Sequence, residues 1–161
     1  MKFINAIDGF IAKLENILII ILLSLMVIIS FLQVILRNLF ETGILWADPF
    51  LRYVVLWIAF IGASLATRED RHINIDVFAR LLPPGLRKFS SAITNFFASV
   101  VCLLLLRASI DFVKMEIDFP SVVFLGLKNW MLELIIPIGF GLMSLRFLFR
   151  AVKVVFIKNI F

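Results

Sequence analysis

Apolar residues in this chain fall into four long runs separated by short polar stretches. The first runs from Ile17 to Leu36, with Ser24, Ser30 and Gln33 as its polar interruptions. A spanning helix needs about 20 apolar residues, whereas a cleavable leader has an apolar region of about 7–15, so a retained helix is predicted over 17–36. Ahead of it, Phe3, Ile4, Ile7, Phe10, Ile11 and Leu14 recur at helical spacing among Asp8, Lys13 and Glu15. That pattern predicts an amphipathic segment lying in the interface and running into the span. The second run opens at Trp46-Ala47-Asp48-Pro49. Asp48 suits an N-cap and Pro49 a first helical position, which predicts a helix over 47–67. Arg52 lies about 6 Å beyond that cap, shallow enough for its long side chain to reach the headgroups. A third span, 89–107, follows Pro83-Pro84-Gly85, and nothing breaks its helical propensity before Pro120. The fourth, 130–149, has Glu133 near its start and Pro137 inside it, which predicts a kink. Between the second and third spans, Asn74 to Leu82 brings Val77, Phe78, Leu81 and Leu82 to one side, as a short helix on the membrane surface would.

Composition turns these runs into a fold class. Hydrophobic residues make up 63% of the 161 residues and charged residues 17%, against roughly 45–50% and 25% in soluble domains. Mean hydropathy is +1.10. One water-soluble core of this size cannot hide so much apolar surface. The expectation is an all-α membrane protein, one domain over 1–161, with four transmembrane helices. The net charge of +5 fits basic residues gathered on one side of a membrane better than nucleic-acid binding. Lys2, Lys13, Arg68, Arg71, Arg80, Arg87, Lys88, Arg146, Arg150, Lys153 and Lys158 share one side of a four-span chain, and Arg37, Arg52, Arg107, Lys114 and Lys128 the other. Basic residues favour the cytoplasm, so both termini are expected inside.

Catalytic chemistry finds little support. Cys102 and His72 are the lone residues of their kinds, too few for a metal cluster or bis-histidine haem ligation. His72 with Asp70 or Asp76 could relay protons, but a charged loop favours a solvated or structural histidine. We assign no catalytic, cofactor-binding or metal-binding residue. Glu133 sits at a depth similar to Arg52 and Arg107, so a structural ion pair with one of them is expected. Ala59, Gly62, Ala63 and Ala66 place small residues on one side of the second helix, beside Trp57, and such a side permits close helix approach. It could serve this chain's own bundle or a partner. A four-helix bundle with so little polar interior reads as a supporting subunit.

The run Arg37, Trp46, Arg52-Tyr53, Trp57 to Ala63, Ala66-Thr67-Arg68 and His72 to Asp76 resembles the small membrane subunit of tripartite ATP-independent periplasmic (TRAP) transporters, the DctQ-like family. Trp130, Ile136 to Phe140 and Arg146 resemble that family's last helix. Where Pro49 stands, members often carry an acidic residue, so any role for that carboxylate rests on Asp48. The resemblance implies a small subunit in a bacterial inner membrane, with a large permease subunit and a periplasmic binding protein as partners, importing organic acids on a sodium gradient. It implies a brace that holds no substrate and needs no cofactor. Arg68, His72, Asp76 and Glu133 would then be structural polar residues. Asp48, Arg52, Lys114, Glu116 and Asp118 would be candidates for docking the binding protein, since charges near the third connection sum to zero and suit a transient contact. The competing readings are an independent small carrier, which needs ionisable groups facing a cavity, and a membrane anchor for another complex.

Overall fold

A computed structural model describes residues 2–68, 84–124 and 126–156. The short surface helix expected over Asn74 to Leu82 lies outside those residues, as do His72 and Asp76. Helix α1 covers Lys2–Phe40, α2 Ala47–Arg68 and α3 Pro84–Asp118; a hairpin of β1 (Val122–Phe124) and β2 (Leu127–Lys128) follows, then α4 (Asn129–Glu133) and α5 (Ile135–Phe156). Among the described residues, four stretches are long and apolar enough to cross a membrane: Asp8–Phe40, Ala47–Arg68, Ser90–Asp118 and Asn129–Val152.

The amphipathic segment at the start does not bend away from the first span. Residues 2–40 form one helix of 39 residues, about 58 Å at 1.5 Å per residue, well beyond a hydrocarbon layer of about 30 Å. It ends at Glu41, which takes a left-handed φ of 49°, as residues just past a helix commonly do. The second helix begins one residue before the expected cap. The Trp46 carbonyl accepts the first helical bond, from Phe50 N at 3.1 Å, and Asp48 stands inside the first turn.

The fourth span is broken, and the proline accounts for it. Pro137 has no N–H for the Glu133 carbonyl, and its ring crowds that same carbonyl. The helix stops at Glu133 and resumes at Ile135. The carbonyl of Leu132, just ahead of the break, accepts the indole N–H of Trp57 at 2.8 Å.

The helices form a row rather than a closed bundle. The most extensive contact joins α3 to α5; α5 packs on α2, and α2 on α1. Along the row the order is α1, α2, α5, α3. Two close approaches hold its middle. A Cβ on Gly139 would stand 2.6 Å from Phe60 Cδ1, so only hydrogen fits where α5 crosses α2, and Phe60 meets Phe140 edge to face at 5.1 Å. Between α3 and α5, buried Ser99 and Ser144 exchange hydrogen bonds. Ser99 Oγ donates to the Ser144 carbonyl at 3.1 Å and Ser144 Oγ to that of Ser99 at 3.3 Å, so neither hydroxyl is left bare in an apolar layer.

Candidate functional site

Polar side chains gather at the two ends of the row. At the end where α1 begins and α5 finishes, Arg146 is only 9% exposed. It lies 17 residues beyond Asn129, about 25 Å along the span, near the far edge of the hydrocarbon. Its Nη2 donates to Glu15 Oε2 at 2.9 Å and Nη1 to Glu15 Oε1 at 3.2 Å. The same Nη1 reaches the Ser64 carbonyl at 2.5 Å and Ser64 Oγ at 2.7 Å, and Nε donates to Asp8 Oδ1 at 3.0 Å. Ser64 in turn donates to Glu15 Oε1 at 2.7 Å. Asp8 also accepts from Arg68 Nε at 3.0 Å, while Arg150 Nη2 caps the Arg68 carbonyl at 2.8 Å.

Bidentate guanidinium–carboxylate pairs are among the strong side-chain hydrogen bonds, and Nε and Nη1 find further acceptors in Asp8 and Ser64. Two arginines, Arg146 and Arg68, are ion-paired with two carboxylates, Glu15 and Asp8. The cluster joins α1, α2 and α5. Helical spacing allowed for Asp8 and Glu15 on the polar side of a surface segment. Instead Glu15 is 6% exposed and serves as the buried anion. Two hints were present in the sequence: Arg146 falls inside the predicted fourth span, and Glu15 lies just ahead of the first, at the same end.

At the hairpin end the bonds are different. Asn129, 5% exposed, donates through Nδ2 to the Glu116 carboxylate and accepts the Ser121 N–H at 3.1 Å. Its own backbone N–H bonds the Ser121 carbonyl at 3.0 Å, closing the hairpin base. Gly126 makes the turn with φ 79°, a conformation open to glycine. Glu133 finds neither expected cation: its Oε1 accepts from Tyr53 Oη at 3.4 Å, and its buried Oε2 has no hydrogen-bond partner among the described residues. The Arg52 and Arg107 guanidinium groups are both exposed. Asp111 pairs with Lys114 at 3.6 Å, both largely exposed, rather than with Arg107.

Nearer α2's start, Gln33 clamps the first connection. Its Nε2 donates to the Ile44 carbonyl at 3.3 Å, and Ile44 N donates to its Oε1 at 3.0 Å. Arg37 pairs with Asp48 at 2.5 Å. A side chain on Gly43 would press on both Arg37 and Gln33.

Several docking candidates therefore have internal employment: Asp48 holds Arg37 and Glu116 holds Asn129, while Arg52, Lys114 and Asp118 are exposed. Trp57 spends its N–H inside the chain. On the small side of α2, Gly62, Ala63 and Ala66 are half-buried. Ala59 is exposed, and a Cβ on Gly62 would meet nothing within 4 Å.

Residues 26–156 match the model of the family described as tripartite ATP-independent periplasmic transporters, DctQ component. The chain belongs to the DctQ family. This is a family of transporter components and not of enzymes, in accord with four apolar helices and a multi-pass membrane protein. A Haemophilus influenzae protein, provisionally named a TRAP transporter small permease protein, is 38% identical over 100 residues, 62% of each chain. The DctQ-family chain thus spans about three-fifths of that relative's length. The C4-dicarboxylate TRAP transporter small permease protein DctQ of Pseudomonas aeruginosa is 28% identical, with 84% of this chain and 80% of that one covered. The isethionate TRAP transporter permease protein DctMQ of Oleidesulfovibrio alaskensis is 26% identical over 64% of this chain but 16% of its own length, so a DctQ-like unit there is part of a much longer polypeptide.

Proposed function

We propose that this chain is the small subunit of a TRAP importer, bracing a large permease subunit in the bacterial inner membrane and helping to receive a periplasmic binding protein during sodium-driven uptake of an organic acid. The observation that carries the reading is the free space at Gly62 on the small side of α2. Among the described residues a Cβ there would meet nothing within 4 Å, whereas one on Gly139 of the facing helix would meet Phe60. Room at a glycine beside exposed Ala59 suits a second polypeptide at close range. The occurrence of a DctQ-like unit within the longer DctMQ permease supports a large permease subunit as that neighbour. Basic-residue asymmetry supports cytoplasmic termini and, with them, a periplasmic position for the hairpin, Lys114, Asp118 and Arg52.

The test is reconstitution. Liposomes holding this chain alone should take up no labelled organic acid above empty vesicles under a sodium gradient. Adding the large subunit and loaded binding protein should produce uptake, and Gly62→Leu should weaken co-purification with the large subunit while this chain still inserts. Uptake by this chain alone would overturn the brace reading, and degradation of Gly62→Leu would return the small side to the chain's own packing.

A further inference from the structure

We infer that the cleft between α1 and α2 beside Arg52 is a binding site for one phospholipid with a zwitterionic phosphoethanolamine headgroup. The inference rests on the chain's place in the membrane and not on the transport reading.

The cleft has a volume of about 370 Å³ and is lined by Met26 and Ser30 of α1 and by Asp48, Leu51, Arg52 and Val55 of α2. All six lie within segments long and apolar enough to cross a membrane, so for the chain on its own the cleft opens to lipid. Its chemistry is graded. Met26, Leu51 and Val55 offer apolar walls for acyl chain, while Arg52, Asp48 and the Ser30 hydroxyl supply polar groups. Arg52 lies five residues into α2, about 7.5 Å along its axis, a depth from which a long side chain reaches the headgroup layer.

Charge selects the occupant. Arg52 makes no hydrogen bond or ion pair among the described residues, although Asp48 stands one helical turn away. Arg37 holds Asp48 Oδ2 at 2.5 Å, which turns that carboxylate towards α1 and leaves Arg52 without a protein anion. A guanidinium at the edge of hydrocarbon needs an acceptor, and a lipid phosphate is one it matches in a bidentate fashion. Asp48 stays on the cleft wall about half exposed, where an ammonium can share it with Arg37. A cation and an anion on one wall complement phosphate and ammonium on one headgroup. An anionic lipid satisfies Arg52 but sets its second polar group against Asp48 with no charge to offer.

The experiment uses the purified full-length chain, stripped of lipid in detergent and examined by native mass spectrometry after adding phosphatidylethanolamine or phosphatidylglycerol. One phosphatidylethanolamine should be retained in preference to phosphatidylglycerol. Arg52→Gln should weaken retention about tenfold, the loss expected for one charge-assisted hydrogen bond. Val55→Trp, which fills the apolar wall and leaves the charges, should weaken it as well. Arg107→Gln, another exposed cation within a span, should leave it unchanged; circular dichroism checks that each variant keeps its helicity. Equal retention by Arg52→Gln and the unaltered chain would overturn the site. So would equal or tighter binding of phosphatidylglycerol, or displacement of the lipid by millimolar inorganic phosphate or free phosphoethanolamine, since the apolar wall would then contribute nothing.

Discussion

The two ends of the helix row solve the same problem in different ways. Each must place carboxylates at the rim of an apolar layer, where an unpaired charge is expensive. At the Arg146 end, Glu15 and Asp8 meet two guanidinium groups, and every oxygen of Glu15 has a partner. At the hairpin end, among the described residues, Glu116 and Glu133 meet the neutral donors Asn129 and Tyr53, and one Glu133 oxygen has no partner. The first end pairs its carboxylates with guanidinium groups and joins three helices. At the second, Asn129 ties the hairpin base to Glu116 through neutral bonds. A rim built from matched charges resists change; a rim whose carboxylates hold only neutral donors among the described residues has slack.

The largest expected effect falls on the matched end. Arg146→Met strands Glu15 in the bundle, and removing one partner of a buried pair typically costs about 3–5 kcal/mol. The SDS concentration at half-unfolding should fall sharply, and Arg146→Met with Glu15→Met should recover most of the loss. A single variant as stable as the parent would mean that water or lipid already serves Glu15.

An intermediate effect is expected at the hairpin. Asn129→Ala removes an acceptor for Ser121 N and the donor to Glu116, a loss of about 1–3 kcal/mol if those groups stay buried. Hydrogen exchange should accelerate over residues 119–129 while α1 and α2 are unaffected. Acceleration spread over all helices would show that the two ends are coupled and the contrast is false.

The smallest effect has the opposite sign. Glu133→Gln keeps an acceptor for Tyr53 and removes a charge that lacks a cation, so stability should be unchanged or raised by up to about 1 kcal/mol. A loss comparable to that of Arg146→Met would mean that Glu133 has a cationic partner in the membrane, and would erase the distinction between the ends.

These contrasts explain what the sequence could and could not reveal. Apolar run length fixes the number of helices because lipid thickness fixes the run, and Pro137 announces a break because its missing N–H is a local fact. The hairpin has a local signal: Val122-Val123-Phe124 followed by Gly126 is a strand-and-turn pattern, short enough to be masked by the apolar residues around it. The partners of charged residues were not legible. Glu133 was matched with arginines at its own depth, yet depth says nothing about azimuth, and the row order puts Tyr53 before it instead. Glu15 and Arg146 were sorted with opposite companions, a surface stripe and a cytoplasmic tail, because pairing them requires knowing that the first and last spans share a neighbour in α2. A row in place of a closed bundle is equally invisible to periodicity, which identifies faces but not what covers them.

Glu15 and Arg146 are separated by 131 residues. At ribosomal speeds of about 5–20 residues per second, the glutamate leaves the ribosome on the order of ten seconds before its arginine exists. During that interval Glu15 lacks its guanidinium, with the Ser64 hydroxyl as its earlier partner. The pair can form only when the last helix has entered, so it is among the last contacts of the chain to close.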